Sequence, residues 1–367
     1  MRRYKSIDII RGLCMIIMVY GHIVNWWLTP EDYWLYLFLE SIFAPIGASG
    51  FLFISGLSAQ LSYKNRLEKA EGSNEFNMKM VRNVYIFRAL LLLFIAFMYN
   101  TAIAIAINDL TYIWAWFVLQ TIGFCLILAW PLLKTSKIFR IIIGIILLVS
   151  NEFILAFLSS YKGQINFYGI LFHILYNPVE LYTIQSFFTI FLIGTVAGDI
   201  IYDINRIDNK NERRRVFKTH LFSLLIIGII LTSFGIIFLF PTFLKHATFS
   251  SMVYSLGIIF TLLSVLIGIE EFEVIKTEKS YRFFYYYSYY SFTIFLAHNP
   301  LFFLFYRQLN VITIWIAVFT TIFLLTLLLR VVYKKLGPKA SLKILLTAIS
   351  FKLALKIEER KNKLKST

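Results

Sequence analysis

The chain has 367 residues, 59% hydrophobic and only 15% charged, with a formal net charge of +16 and a mean hydropathy of +0.73. Soluble domains are about 45–50% apolar and about 25% charged, and a single core stops growing near roughly 250–300 residues. This excess excludes a soluble enzyme or nucleic-acid-binding domain, and the chain is expected to be an integral membrane protein.

Apolar runs long enough to cross about 30 Å of hydrocarbon give ten predicted spans: 7–28, 42–63, 84–107, 110–133, 138–158, 183–202, 219–240, 248–269, 284–306 and 311–333. The expected fold is therefore an all-α, polytopic membrane protein with about ten transmembrane helices. The first span carries Asp8, Arg11 and His22; it is too long for a signal peptide and lacks a small-residue cleavage site. Glu31–Phe43 reads either as a separate interfacial helix or as the entry to the second span. That span sets Ser49, Ser55 and Ser58 among Gly47, Gly50 and Gly56, a composition that points first to close helix packing and second to a narrow passage. Gln120 lies in the fourth span, where it either holds a substrate or bonds another helix. The 159–182 segment is the sizeable outer loop and contains His173 and Glu180, while His220 and His246 sit at span ends. Arg213–Arg215 reads as a topology determinant within reach of lipid headgroups. The ninth span begins with an interfacial aromatic cluster, Tyr285-Tyr-Tyr-Ser-Tyr-Tyr, and ends near His298-Asn299-Pro300, where Pro300 predicts a kink. Residues 1–335 form the expected transmembrane domain. Residues 336–367 form a basic cytoplasmic or interfacial tail, with a weak helical signal over Ser341–Ile357. Cys14 and Cys125 lie inside spans without ligand-like spacing, so neither a disulfide nor a metal site is expected.

The charge sets orientation. With the N-terminus inside, the inner segments hold 32 lysines and arginines against three outside (Lys162, Lys245 and Arg307), with Arg11 inside the first span. This is a strong positive-inside pattern. Six of the seven tryptophans fall at the outer interface and Trp130 at the inner one, as aromatic belts do. The expected location is the cell membrane, multi-pass, with both termini cytoplasmic.

Polar residues inside spans are costly and mark functional candidates. Arg11 and His22, ten residues apart between them, differ by only about 20° around a helix and lie roughly 16 Å apart along its axis. Asp8 precedes Arg11 by one turn on the same stripe. This seam suits a cavity wall rather than lipid. Histidine is able to take a proton from a hydroxyl or amine, and arginine to clamp phosphate or an acidic partner. The alternative is an i, i+3 pair between Asp8 and Arg11, with His22 bonded to a neighbouring helix. Counted from the inner edge, His298 is about 21 Å deep and His22 about 22 Å, so the two are placed to meet across one cavity.

Arg11-x10-His22 resembles the R-x10-H signature of the acyltransferase-3 family, whose members move acyl groups onto extracytoplasmic glycans and lipids. The surrounding sequence is closer to a sister branch, the bacterial and archaeal relatives of heparan-α-glucosaminide N-acetyltransferase. Ser6-Ile-Asp8-x-x-Arg11-Gly12, Ala44-Pro45 with Gly50-Phe-Leu-Phe-Ile-Ser55-Gly56-Leu-Ser58, and Phe117-Val-Leu-Gln120-Thr-Ile-Gly123 are similar to motifs of that branch. Ser288 to His298-Asn299-Pro300 resembles a serine-to-histidine stretch near the end of both families. In the eukaryotic lysosomal enzymes the catalytic histidine lies between the first two helices, and asparagine stands where His22 does. Here Ile23–Leu39 contains no histidine, so the chemistry the resemblance implies falls to His22.

The resemblance implies an acyltransferase that takes an acyl group, acetyl foremost, from cytoplasmic acyl-CoA. The acceptor would be a hydroxyl or amine of an extracytoplasmic glycan or glycolipid. His22 would act as general base or acyl relay and Arg11 beside it as the second catalytic residue, with Asp8, His298, Asn299 and Gln120 in support. Arg2, Arg3, Lys5, Ser55 and Ser58 would line the acyl-CoA mouth or tunnel. The expected partners are the donor, the acceptor and membrane lipids, with no nucleic acid. The competing reading is a transporter or flippase that uses the same seam as a path, although the paired repeats such proteins carry are not apparent.

Overall fold

The computed structural model describes residues 3–72, 77–176, 183–238, 248–275 and 281–366. Arg2, Glu180 and His246 lie outside the described residues. The architecture is all-α: α1 (Lys5–Trp27), α2 (Tyr33–Ala44), α3 (Gly50–Glu71), α4 (Met78–Ala106), α5 (Val118–Leu132), α6 (Lys137–Ser159), α7 (Phe167–Tyr176), α8 (Ile184–Asn205), α9 (Lys210–Ile237), α10 (Phe249–Glu271), α11 (Arg282–Tyr289), α12 (Ser291–Ala297), α13 (Thr313–Lys335) and α14 (Leu342–Ser366). Among the described residues, nine helical stretches are long and apolar enough to cross a membrane. Side-chain caps start several of them: Asn77, Ser136, Asn209 and Thr248 each accept from a backbone N–H of the first turn, satisfying donors that helix geometry leaves unpaired.

Two expectations are corrected. The second span does not begin at residue 42. One helical stretch runs from Tyr33 to Glu71, α2 passing through a π-helical step over Pro45–Ser49 into α3, so most of the segment Glu31–Phe43 belongs to that stretch and packs against α1. The ninth span is not continuous. It divides into α11, α12 and a 3-10 turn over Asn299–Phe303. Pro300 lies at the start of that turn, where its missing N–H costs nothing and its fixed φ suits the turn.

The segments between spans gather on two faces. At the N-terminal face, Tyr4 donates to Asn205, the Lys5 N–H donates to Glu270, and Lys137 pairs with Asp203. At the opposite face, the Thr29 N–H donates to Leu309 O, Asp32 accepts from Val311 N–H, and Trp114 and Trp116 both donate to Ile174 O. Large apolar side chains of α6, α9 and α13 point outward, among them Phe153, Ile230 and Phe323, as lipid-facing helices require.

Helices α3 and α8 pack backbone to backbone. A Cβ on Gly56 would stand 2.1 Å from Phe191 O, and one on Gly194 would stand 2.1 Å from Phe53 O. Beside this seam Asp199 is buried and accepts from Gln60 at 2.8 Å. It also pairs with the fully buried Arg140 and with Lys64, while Arg140 donates to Thr195. A buried charge persists only when paired and hydrogen-bonded in this way. Gly194→Val would drive side-chain atoms into the α3 backbone, and a loss of about 1–3 kcal/mol is expected for such overpacking. Thermal unfolding of the purified protein in detergent would read it as a lowered midpoint.

Candidate functional site

Three cavities that share walls run through the bundle. The lower one, about 510 Å³, opens near the N-terminal face and is lined by Arg3, Asp8, Arg11, Ser58, Arg66 and Lys343, among others. The middle one, about 660 Å³, shares Arg11, Ser58, Arg66 and Lys343 with it and adds Ser55, Arg88 and an apolar wall. The upper one, about 450 Å³, meets the middle at Phe51, Val118 and Phe295, and holds His22, Trp26, Glu40, His298 and Asn299.

The upper chamber is built by α1 and the broken helix. His22 comes from the last third of α1. His298 follows α12 at the break, where the chain enters the 3-10 turn. Their ring centroids lie 4.9 Å apart with planes tilted by 42°. Trp26, one turn after His22, stacks on His298 with an interplanar angle of 10°. The His298 Nδ1 is 2.6 Å from Phe295 O. A carbonyl only accepts, so Nδ1 carries the proton and the lone pair sits on Nε2. That Nε2 is buried and has no hydrogen-bond partner. Asn299 exchanges hydrogen bonds with the Tyr99 hydroxyl of α4 at 3.0 and 3.2 Å, which fastens the 3-10 turn to α4.

Below, Asp8 is 6% exposed and gathers the polar seam. It accepts from Arg3 Nε at 2.8 Å, Arg11 Nη1 at 3.3 Å and Ser288 Oγ at 3.0 Å. Arg11 also donates to Ser58 Oγ. The i, i+3 pair weighed from the sequence is therefore present, yet Arg11 still lines two chambers. Arg11 and His22 do not share a chamber: Arg11 serves the lower two and His22 the upper one.

The remaining candidates divide. Ser55 and Ser58 line the middle chamber, with the Ser55 hydroxyl donating to Phe51 O. Arg3 lines the lower chamber. Lys5 lies among the lining of none of the three; its ammonium sits 5.4 Å from the Tyr281 ring. Gln120 is fully buried and likewise lines none of them. It accepts from Asn100 and donates to Trp114 O, which pins the Leu110–Trp114 turn to α4. Of the outlying histidines, His173 is exposed on α7, and His220 is exposed on α9 with its ring bonded to Val216 O.

Several lining residues escaped the sequence reading. Arg88 lies inside the third predicted span, where a charged residue is itself a signal of function. Arg66 and Lys343 join the site only because α3 and α14 converge on α4. Lys343 donates to Ser288 O at 2.9 Å. Burial, followed by the positive charge of Arg11, pushes its ammonium down to about 7. Glu40, which accepts from Tyr36, adds a carboxylate to the upper chamber. No group of three or more metal-ligating side chains occurs among the described residues.

The family model for the catalytic domain of heparan-alpha-glucosaminide N-acetyltransferase matches residues 3–230, well over half of the chain. The chain belongs to that family. It is thus a multi-pass protein of a membrane acetyltransferase family. No curated protein matches the chain. The matched stretch takes in His22, Arg11, Arg66 and Arg88, while His298, Asn299 and Lys343 lie beyond it.

Gly21 lines the upper chamber next to His22, and a Cβ there would meet nothing within 4 Å. Gly21→Leu is expected to fill the chamber without unfolding the bundle. Removing a mid-helix glycine should leave stability unchanged or raise it by up to about 1 kcal/mol. A thermal midpoint at or above that of the wild type, together with loss of ligand binding, would show that the chamber is spare space and not packing.

Proposed function

We propose that the protein is an acyl-CoA-dependent membrane acyltransferase, with acetyl the acyl group favoured by its family. The acceptor is a hydroxyl or amine of a glycan or glycolipid that enters from outside the cell. One observation carries this reading: two histidines 276 positions apart in sequence are in ring contact in the upper of three neighbouring cavities, the lower two of which are lined by cationic side chains. The 32-to-3 charge asymmetry supports a cytoplasmic N-terminal face, so a phosphorylated donor meets the lower chamber first.

The residues present suit such a donor. Arg11, Arg66, Arg88 and Lys343 offer its phosphates cationic hydrogen-bond donors, and Ser55 and Ser58 border a middle chamber for its pantetheine arm. When bound, the thioester supplies the acyl group. His22 has no hydrogen-bond partner among the described residues and is free to take the acceptor's proton. His298 supplies a second lone pair, fixed on Nε2 by the Phe295 carbonyl. Trp26, Tyr20 and Tyr36 line the same chamber and give a sugar ring apolar faces to pack on.

His22→Ala is expected to lower acyl transfer by at least about 10²-fold, the scale of a lost general base, while membrane insertion and thermal midpoint stay as in the wild type. The assay is free-thiol release from acetyl-CoA by protein in liposomes, with and without a candidate glycan. Undiminished release by His22→Ala would remove His22 from the chemistry. Solute flux without thiol release would favour a transporter instead.

A further inference from the structure

The face that α14 turns away from the bundle changes character part-way along the helix. Leu345, Ile349, Lys352, Lys356 and Arg360 fall within about 80° of one another around its axis, and all five are exposed. The stripe is apolar over its first turns and cationic from Lys352 onward, with Leu353 at its edge. Lys343, Thr347 and Phe351 stand on the opposite side, where they line the middle chamber.

Packing fixes the level of each half. Leu342 and Leu346 join Leu92 and Ala96 of α4 and Phe292 of the broken helix in one apolar cluster. Further on, Ala354 packs against Met80 and Val84 at the start of α4, and Glu358 accepts from Asn83 at 3.5 Å. Between Leu346 and Ala354 the helix thus descends along α4 by about 12 Å toward the N-terminal face. Leu345 and Ile349 look outward at the level of the apolar part of α4. The cations emerge where α4 begins, level with its own exposed Lys79 and Arg82.

Charge decides what this face meets. Lys352, Lys356 and Arg360 form no ion pair among the described residues. Glu358 is turned to Asn83, and Glu359 offsets one of the three charges, so an excess remains. An acidic protein partner would match the cations and leave Leu345 and Ile349 uncovered. A bilayer covers both halves: acyl chains meet the leucine and isoleucine, and anionic headgroups meet the cations at the hydrocarbon edge.

We infer that the outward face of α14, with the start of α4, binds anionic lipid headgroups of the leaflet at the N-terminal face. The contact holds α14 in place, and with it one wall of the middle chamber. It involves neither donor nor acceptor and so stands apart from the reaction proposed above.

The test reconstitutes the full-length protein in nanodiscs of phosphatidylcholine alone and of phosphatidylcholine with phosphatidylglycerol, and follows backbone hydrogen exchange over α14. Lipid bound to the docked helix opposes its opening. Amides 345–356 of the wild type are therefore expected to exchange at least about tenfold more slowly with phosphatidylglycerol present, from about fivefold for each lysine. Lys352→Gln combined with Lys356→Gln should abolish the difference between the two discs, and arginine at both positions should keep it. Arg215→Gln with Lys218→Gln, both exposed on α9, removes the same charge elsewhere and should leave α14 exchange as in the wild type. Equal α14 exchange of the wild type in the two discs would overturn the inference. So would a lipid dependence that the glutamine pair leaves intact, that the α9 pair also removes, or that arginine fails to preserve.

Discussion

The architecture depends on burying one carboxylate. Asp8 stands near the start of α1, almost without exposure, and a lone carboxylate there would be far too costly. Three donors from two elements, Arg3 and Arg11 on the N-terminal side and Ser288 on α11, make it tolerable. The same bonds hold α1 against the broken helix. Gly12 permits the approach, since a Cβ there would lie 2.3 Å from Phe284 O. At the other end, the Trp27 indole donates to Leu301 O, and the Leu309 N–H donates to Trp27 O. Pinned above and below, α1 and the broken helix have little freedom to separate where His22 and His298 meet.

Much of this was legible in the sequence because hydropathy and helical rise are local quantities. The long apolar runs became helices since a backbone in hydrocarbon must satisfy its own hydrogen bonds. The equal depths of His22 and His298 followed from counting residues at a fixed rise. The kink near Pro300 was also readable. The earlier break at Tyr290 was not, because it depends on tertiary contacts: Tyr290, Thr293 and Ser341 tie the break to the chain before α14. Gln120 shows the same limit. Its partner Asn100 lies in another helix, and only the packing of α4 on α5 reveals that its hydrogen bonds are already used. The basic cluster of the middle chamber was hidden for a related reason. Residues that read as topology signals on three separate segments converge only when α3, α4 and α14 assemble.

The small residues of α3 resolve a question that composition left open, since packing and passage are both present on one helix. Gly56 presses against the α8 backbone, while Ser55 and Ser58 border the middle chamber. The face toward α8 is thus held firmly, through glycine contacts and the bonds of Gln60 and Lys64 to Asp199, and the face toward the chamber stays open. A wall of this kind keeps its shape when a ligand enters because its stiffness comes from behind.

The boundary between the middle and upper chambers has a further consequence. Phe51, Val118 and Phe295 are common to both, and none of them offers an ion a ligand. A cation crossing there would shed water and gain nothing in return, at a cost of at least several kcal/mol. The shared wall is thus apolar, with the charged side chains of the middle chamber on one side of it and the two histidines on the other.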